Sequence, residues 1–209
     1  MTDWATVSSF ATAGGTLVLA VATFASVRSA NAAARTAERA LEARLRPVLV
    51  SSRLTDPVEK ITWGDQHFSK VGGGRGSVEV TDEVVYLSMP LRNVGSGIAV
   101  LHAWHVVPTW DGSRPHAEPD EFRAQTRDLY VPPGDVGFWQ GALREPADPV
   151  GDPLRATIAA RERIQIERLY SDPEGPQRTI SRFALIPTGD GGWLCTVSRH
   201  WNLDRPDPR

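Results

Sequence analysis

Residues 84–107 read VVYLSMPLRNVGSGIAVLHAWHVV, and this stretch decides the fold class. In its first part the apolar positions Val85, Leu87, Met89 and Leu91 alternate with Tyr86, Ser88, Pro90 and Arg92. A period of two is the signature of a strand with one face turned to a core. Asn93-Val94-Gly95-Ser96-Gly97 breaks the pattern with turn chemistry. Ile98–Val107 is then apolar on both faces, as expected of a strand covered twice. The two glycines sit between strong strand patterns, where a tight reversal calls for φ above zero. Asn93 can hydrogen-bond the turn backbone. The reading is a bend and not an anion-binding nest.

Further strands are expected at Pro47–Arg53, Val78–Val80, Asp128–Val131, Val136–Leu143, Ile164–Tyr170, Thr179–Ile186 and Trp193–Trp201. Asp172-Pro-Glu-Gly-Pro176 and Gly189-Asp-Gly-Gly192 read as hairpin loops between consecutive pairs. Gly72–Gly76 and Gly112–Ala124 read as loops, and Asp204–Arg209 as a mobile tail. One short helix fits Pro153–Arg163, with Asp152 as its N-cap. Short strands separated by Gly/Pro turns over residues 47–203 predict a mainly β domain, an antiparallel β-sandwich. Leu87, Leu91, Val100, Trp104, Ile166, Phe183 and Leu185 are expected in one core.

The N-terminal part is different. Trp4–Val27 is a run of 24 residues without a charge. At about 1.5 Å per residue, a helix of that length crosses a hydrocarbon layer of roughly 30 Å. Trp4 suits one interface, and Arg28 stops the run at the other. Residues 28–46, RSANAAARTAERALEARLR, have strong helix composition and stop at Pro47. They form a helical stalk with a narrow stripe of Ala30, Ala34, Ala37, Leu41 and Leu45. That stripe, with the Ala11/Gly15 small-residue pair, leaves homo-oligomerisation open. Thirteen of the 23 alanines lie in the first 46 residues, marking a domain boundary there.

Arg28, Arg35, Arg39, Arg44 and Arg46 all follow the span, and only Asp3 precedes it. The positive-inside bias places the C-terminal domain in the cytoplasm. A cleavable signal peptide, with Ala30-Asn31-Ala32 as its cleavage site, is the competing reading. It lacks a basic n-region, because Met1–Asp3 holds no Lys or Arg. The expected partners are therefore the lipid bilayer through residues 4–27 and another protein. With 23 basic against 25 acidic residues, a nucleic-acid partner is not expected. Arginine outnumbers lysine 21 to 2, which suits a GC-rich bacterial genome.

The stretch Leu91-Arg-Asn-Val-Gly-Ser-Gly-Ile-Ala-Val-Leu-His-Ala-Trp104 resembles a group of bacterial membrane-anchored proteins. Those proteins pair one N-terminal helix with a cytoplasmic β-sandwich of unknown function. Asn93, Gly95, Gly97 and Ala99 are also similar to an element of many immunoglobulin-like bacterial modules. Leu169–Phe183 has the same look. The resemblance implies an immunoglobulin-like sandwich behind a transmembrane helix. It carries no catalytic residues across.

A search for chemistry assigns no catalytic, cofactor-binding or metal-ligating residue. His102 and His105 are three apart, so on a strand they point to opposite faces and cannot share an ion. His67, His116 and His200 stand in unrelated contexts. Gly72-Gly-Gly-Arg-Gly76 lacks the Lys-Ser/Thr ending of a phosphate loop. Cys195 alternates with Trp193 and Val197 on an apolar face and reads as a buried structural thiol. It rules out an internal disulfide, being alone. Arg178 and Arg182 could meet an acidic partner, although ion pairs with Glu167 or its neighbours explain them more simply. Six domain tryptophans (Trp63, Trp104, Trp110, Trp139, Trp193, Trp201) are more than a core this size needs. Three functions follow. One is an interaction or scaffold module; another is a small-molecule sensor or hydrolase with a site between the sheets or in the loops near Trp110 and Trp139; the third is a secreted or surface-displayed domain.

Overall fold

The computed structural model describes residues 4–109, 112–175 and 177–205, without the side chains of 4–13, 39 and 42–44. Trp4 and Ala11 as side chains, Trp110, and the tail from 206 onward thus lie outside the described residues. The chain divides into two compact units, Met1–Arg44 and Leu45–Arg209.

The first unit is one continuous helix, α1 (Trp4–Arg44). The uncharged run and the arginine-rich segment share it because neither holds a proline, and the glycines at 14 and 15 are tolerated within it. Its stretch Gly14–Glu38 is long and apolar enough to cross a membrane, with mean hydropathy 1.4. Leu17, Val18, Leu19, Val21 and Phe24 are all 62–69% exposed. Thr23 returns its hydroxyl hydrogen to the Leu19 carbonyl at 2.8 Å, which hides a polar group the run could not otherwise satisfy.

The second unit is mainly β. Its strands are β1 (Leu49–Ser51), β2 (Glu59–Thr62), β3 (Phe68–Val71), β4 (Arg75–Val80), β5 (Val85–Asn93), β6 (Ala99–Val107), β7 (Arg123–Val131), β8 (Val136–Leu143), β9 (Ile164–Ser171), β10 (Thr179–Pro187) and β11 (Trp193–Asn202). A short helix, α2 (Gly151–Ala159), lies between β8 and β9. It begins after Val150, so Asp152 falls in its first turn and is not the N-cap. There the carboxylate still faces the positive helix end.

Nine strands form one curled antiparallel sheet. β5 is flanked by β8 along one edge and by β4 and β1 along the other. The remaining strands run β11-β10-β9-β6-β7. β4 joins the two parts: Ser77–Val80 pair with β5, whereas Arg75 and Gly76 pair with β11. At Gly76 a Cβ would collide with the end of the Leu185 side chain, so a larger residue there would push that core leucine aside. The curl brings Val85, Leu87, Met89, Leu91, Trp139 and Leu143 against Leu101, Trp104, Ile164, Ile166, Phe183, Leu185 and Trp193 in one core. Six of the seven expected core residues are there; Val100 is half-buried, because Ala99 and Leu101 take the inward positions on either side.

A separate hairpin, β2–β3, covers the outer face of β5, packing Ile61, Trp63 and Val71 on Tyr86. Sequence reading missed it. The outer face of β9 and β10 is covered in turn by Ala117 and its flanking loop.

The turn after β5 holds as a structural bend, for a different reason than expected. Neither Gly95 nor Gly97 has positive φ; the positive-φ glycines are 74, 134, 175 and 191. Instead, a Cβ at Gly97 would fall on the Leu45 carbonyl and one at Gly95 on the Arg46 carbonyl. The turn is glycine-rich because residues 45–48 are packed on its backbone. Asn93 ties the two together, accepting from Val48 N and Gly95 N and donating to Gly97 O and Val131 O.

Candidate functional site

The residues that cluster most openly lie where the β2–β3 hairpin meets β5. The turn Trp63-Gly-Asp-Gln-His67 reverses the chain with Gln66 at φ +67°. That reversal swings Asp65 and His67 over Tyr86. The Tyr86 hydroxyl donates to Asp65 Oδ2 at 2.6 Å, and Arg144 Nη2 donates to the same oxygen at 2.7 Å. The His67 ring stacks on Tyr86, with centroids 3.9 Å apart and planes 18° from parallel. Its Nε2 lies 3.0 Å from Glu79 Oε2, and Glu79 also accepts from Ser69 and Ser77. Trp63 closes the base, its indole N–H directed at the Gly141 carbonyl at 3.3 Å.

The result is a recess of about 590 Å³ lined by Asp65, Gln66, His67, Glu83, Val84, Tyr86 and Arg144. The Tyr86 hydrogen bond, with help from Arg144 and the His67 amide, outweighs burial and holds the Asp65 carboxyl down at about 2. The same hydrogen bond pushes the Tyr86 phenol up. Glu79 is lowered too: burial raises it, but the hydroxyls of Ser69 and Ser77 overcome that. Asp65 is thus a fixed anion between a phenol and a guanidinium. Around it the rim offers the Arg144 guanidinium and the Glu83 carboxylate, a pairing suited to a small polar molecule.

Sequence reading assigned none of these residues. Asp65, Tyr86 and Arg144 are scattered over 80 positions, and no motif joins them.

His102 and His105 do not point to opposite faces. Leu101 pairs with Tyr170 and Ala103 with Leu169, so His102 is an extra residue in β6. This bulge resets the alternation. His102 bonds Ser171 at 2.7 Å and His105 stands opposite Glu167, so both occupy the same face. Among the described residues no group of three His, Cys, Asp or Glu is placed to hold a metal.

Cys195 is buried against Met89, Sγ to Sδ 3.4 Å, and burial pushes its thiol up to about 12. Such a thiol is a poor nucleophile. Arg182 pairs with Glu167, and Arg178 with Asp204. The five described domain tryptophans are all buried, so Trp139 cannot line a surface site.

No family model matches the chain, and no curated protein is similar to it. Among solved structures it is similar to a protein from Archaeoglobus fulgidus, at 14% identity and TM-score 0.25, over 61% of this chain and 93% of that one. It is also similar to a β-glucosidase from Kluyveromyces marxianus, at 12% identity and TM-score 0.21, over 60% of this chain and 14% of the enzyme. At these TM-scores neither carries an argument about fold or activity.

Proposed function

We propose that the chain is a single-pass membrane protein whose immunoglobulin-like β-sandwich domain lies in the cytoplasm and works as a protein-interaction module. The observation that carries this is the uncovered apolar surface of α1 from Leu17 to Phe24, followed by five arginines. Apolar surface on that scale is costly in water, and the arginine flank gives the span a direction. The sandwich reading draws support from the two parts of the curled sheet, which share one core. The interaction reading draws support from Val94, Ile98 and Tyr130, exposed around the Asn93 turn. The alanine stripe of the stalk adds self-association to the partners proposed.

Fractionation tests the anchor. The full chain should stay in the membrane pellet through high salt and alkaline carbonate and leave it only in detergent. Deleting residues 4–27 should release it. Extraction by salt alone would overturn the reading.

The recess around Asp65 favours a second reading, a sensor of a small polar molecule. A ligand found by thermal-shift screening of the full chain should lose its effect in Arg144→Ala. A hit that stabilises both proteins equally would place the site elsewhere.

A further inference from the structure

Arg168 is an arginine in the wrong place. In Ile164-Gln-Ile-Glu-Arg-Leu-Tyr170 the inward positions are Ile164, Ile166, Arg168 and Tyr170, so the guanidinium enters the core between apolar neighbours. It is 0% exposed. An arginine keeps its charge in a protein, and a buried charge is costly unless an opposite charge meets it. Among the described residues no carboxylate does so. Nη2 donates to Gln125 Oε1 at 3.3 Å, the guanidinium lies 4.9 Å over the Trp139 ring, and Nε and Nη1 have no hydrogen-bond partner among those residues. The indole N–H of Trp139, also buried, has no acceptor among them either. Two neighbouring side chains therefore present donors with nothing to accept from them.

The strand above them is irregular. Leu129 pairs with Leu101 and Ala124 with Ala103, so 125–128 of β7 arch away opposite the single residue His102. β7 and β8 share no backbone ladder among the described residues. Side chains lash the arch down: Gln125 Nε2 to the Gln140 carbonyl at 3.0 Å, and Arg127 Nη2 to Gln140 Oε1 at 3.1 Å. Gln125 is only half-buried, so the side chain bonded to the Arg168 guanidinium itself reaches solvent. Its carboxamide has the shape of a carboxylate without the charge.

We propose that Arg168 anchors a binding site for a small carboxylate, which enters under the β7 arch by displacing the Gln125 carboxamide. One carboxylate oxygen replaces Gln125 Oε1 on Nη2, and the other takes a free guanidinium or indole N–H. A carboxylate on the guanidinium, charged on both sides, replaces the long Gln125 contact and offsets the Gln125–Gln140 bond that the displacement gives up. Arg127 at the mouth draws anions in. This site is separate from the recess at Asp65 and does not rest on the membrane reading.

The test is thermal melting of the full chain in detergent micelles at neutral pH, titrated with sodium acetate, with sodium chloride at matched ionic strength and sodium phosphate alongside. Acetate should raise Tm saturably beyond chloride, and phosphate, a bulkier tetrahedral anion with more charge to desolvate in a buried site, should not. Arg168→Met should shift the half-saturating acetate concentration by about tenfold or more. Gln125→Ala, which removes the carboxamide that acetate must displace, should lower the half-saturating acetate concentration and keep the increment. It carries the test by itself if Arg168→Met does not fold. No acetate increment over chloride in either the parent chain or Gln125→Ala would overturn the proposal. An equal response to phosphate would overturn the carboxylate assignment.

Discussion

The Arg182 guanidinium lies 2.6 Å from the Glu167 carboxylate, and both side chains are all but sealed from solvent, at 2% and 1% exposure. The pair does more than neutralise itself. Glu167 also accepts from the Ala117 amide at 2.8 Å, while Arg182 donates to the carbonyls of Arg114 and Pro115 at 2.8 Å. Two residues of adjacent strands thus pin the 114–117 loop to the sheet.

Breaking a buried pair strands a charge, so Glu167→Gln should destabilise the full chain by about 3–5 kcal/mol. Replacing both residues with methionine should recover most of that loss, because the burial cost of both charges disappears together. Thermal melting in detergent checks the magnitude. Limited proteolysis should show cleavage near Arg114 in Glu167→Gln before any cleavage within the sheet.

Asn93 is buried, and its side chain makes four hydrogen bonds, joining 48, 95, 97 and 131. Asn93→Ala leaves several backbone groups unpaired at once and should cost at least about 2 kcal/mol. Gly97→Ala should destabilise by more than Ser96→Ala, since its Cβ meets the Leu45 carbonyl and Ser96 is exposed. Equal Tm values for the two would contradict the packing described for the turn.

Much of this was legible in the sequence. The alternation in Val85–Arg92 foretold a strand with one face on the core, although the β2–β3 hairpin covers its other face too, and Val136–Leu143 was placed to the residue. The β2–β3 hairpin was not legible, because Glu59-Lys-Ile-Thr62 shows too few apolar positions for a period to appear. The recess could not be read either, since tertiary packing alone joins Asp65 to Tyr86 and Arg144. His102 and His105 were misjudged because a bulge cannot be seen in a pattern of two. Arg168 was different: Ile164, Ile166 and Tyr170 share its parity, so its burial was open to reading.

Leu87 is fully buried at the centre of the core. Leu87→Ala should cost roughly 2–5 kcal/mol, and the full chain should show it as a clear drop in Tm. A negligible change would contradict the facing of β5.

The Asp65 carboxyl, held at about 2, gives a signed pH effect. A group whose pKa is depressed by folding stabilises above its unfolded value, near 3.9, and loses that contribution as pH falls toward the folded one. The Tm gap between the parent chain and Asp65→Asn should therefore be full at pH 6 and shrink below about pH 4. Its amplitude should be modest, because both Asp65 and Arg144 are over a third exposed and screened by solvent. A gap that stays constant down to the acid limit would show that Asp65 is not held ionised by Tyr86.

The claim on which the account turns is the topology of α1. Paired reporter fusions after Arg209, expressed in a bacterial host, measure it directly. A fluorescent reporter active only in the cytoplasm should light up, and an alkaline phosphatase active only outside should stay silent, with residues 1–32 still present in the membrane-bound protein. An active phosphatase, or a mature protein that has lost residues 1–32, would contradict the cytoplasmic anchor and restore the secreted reading.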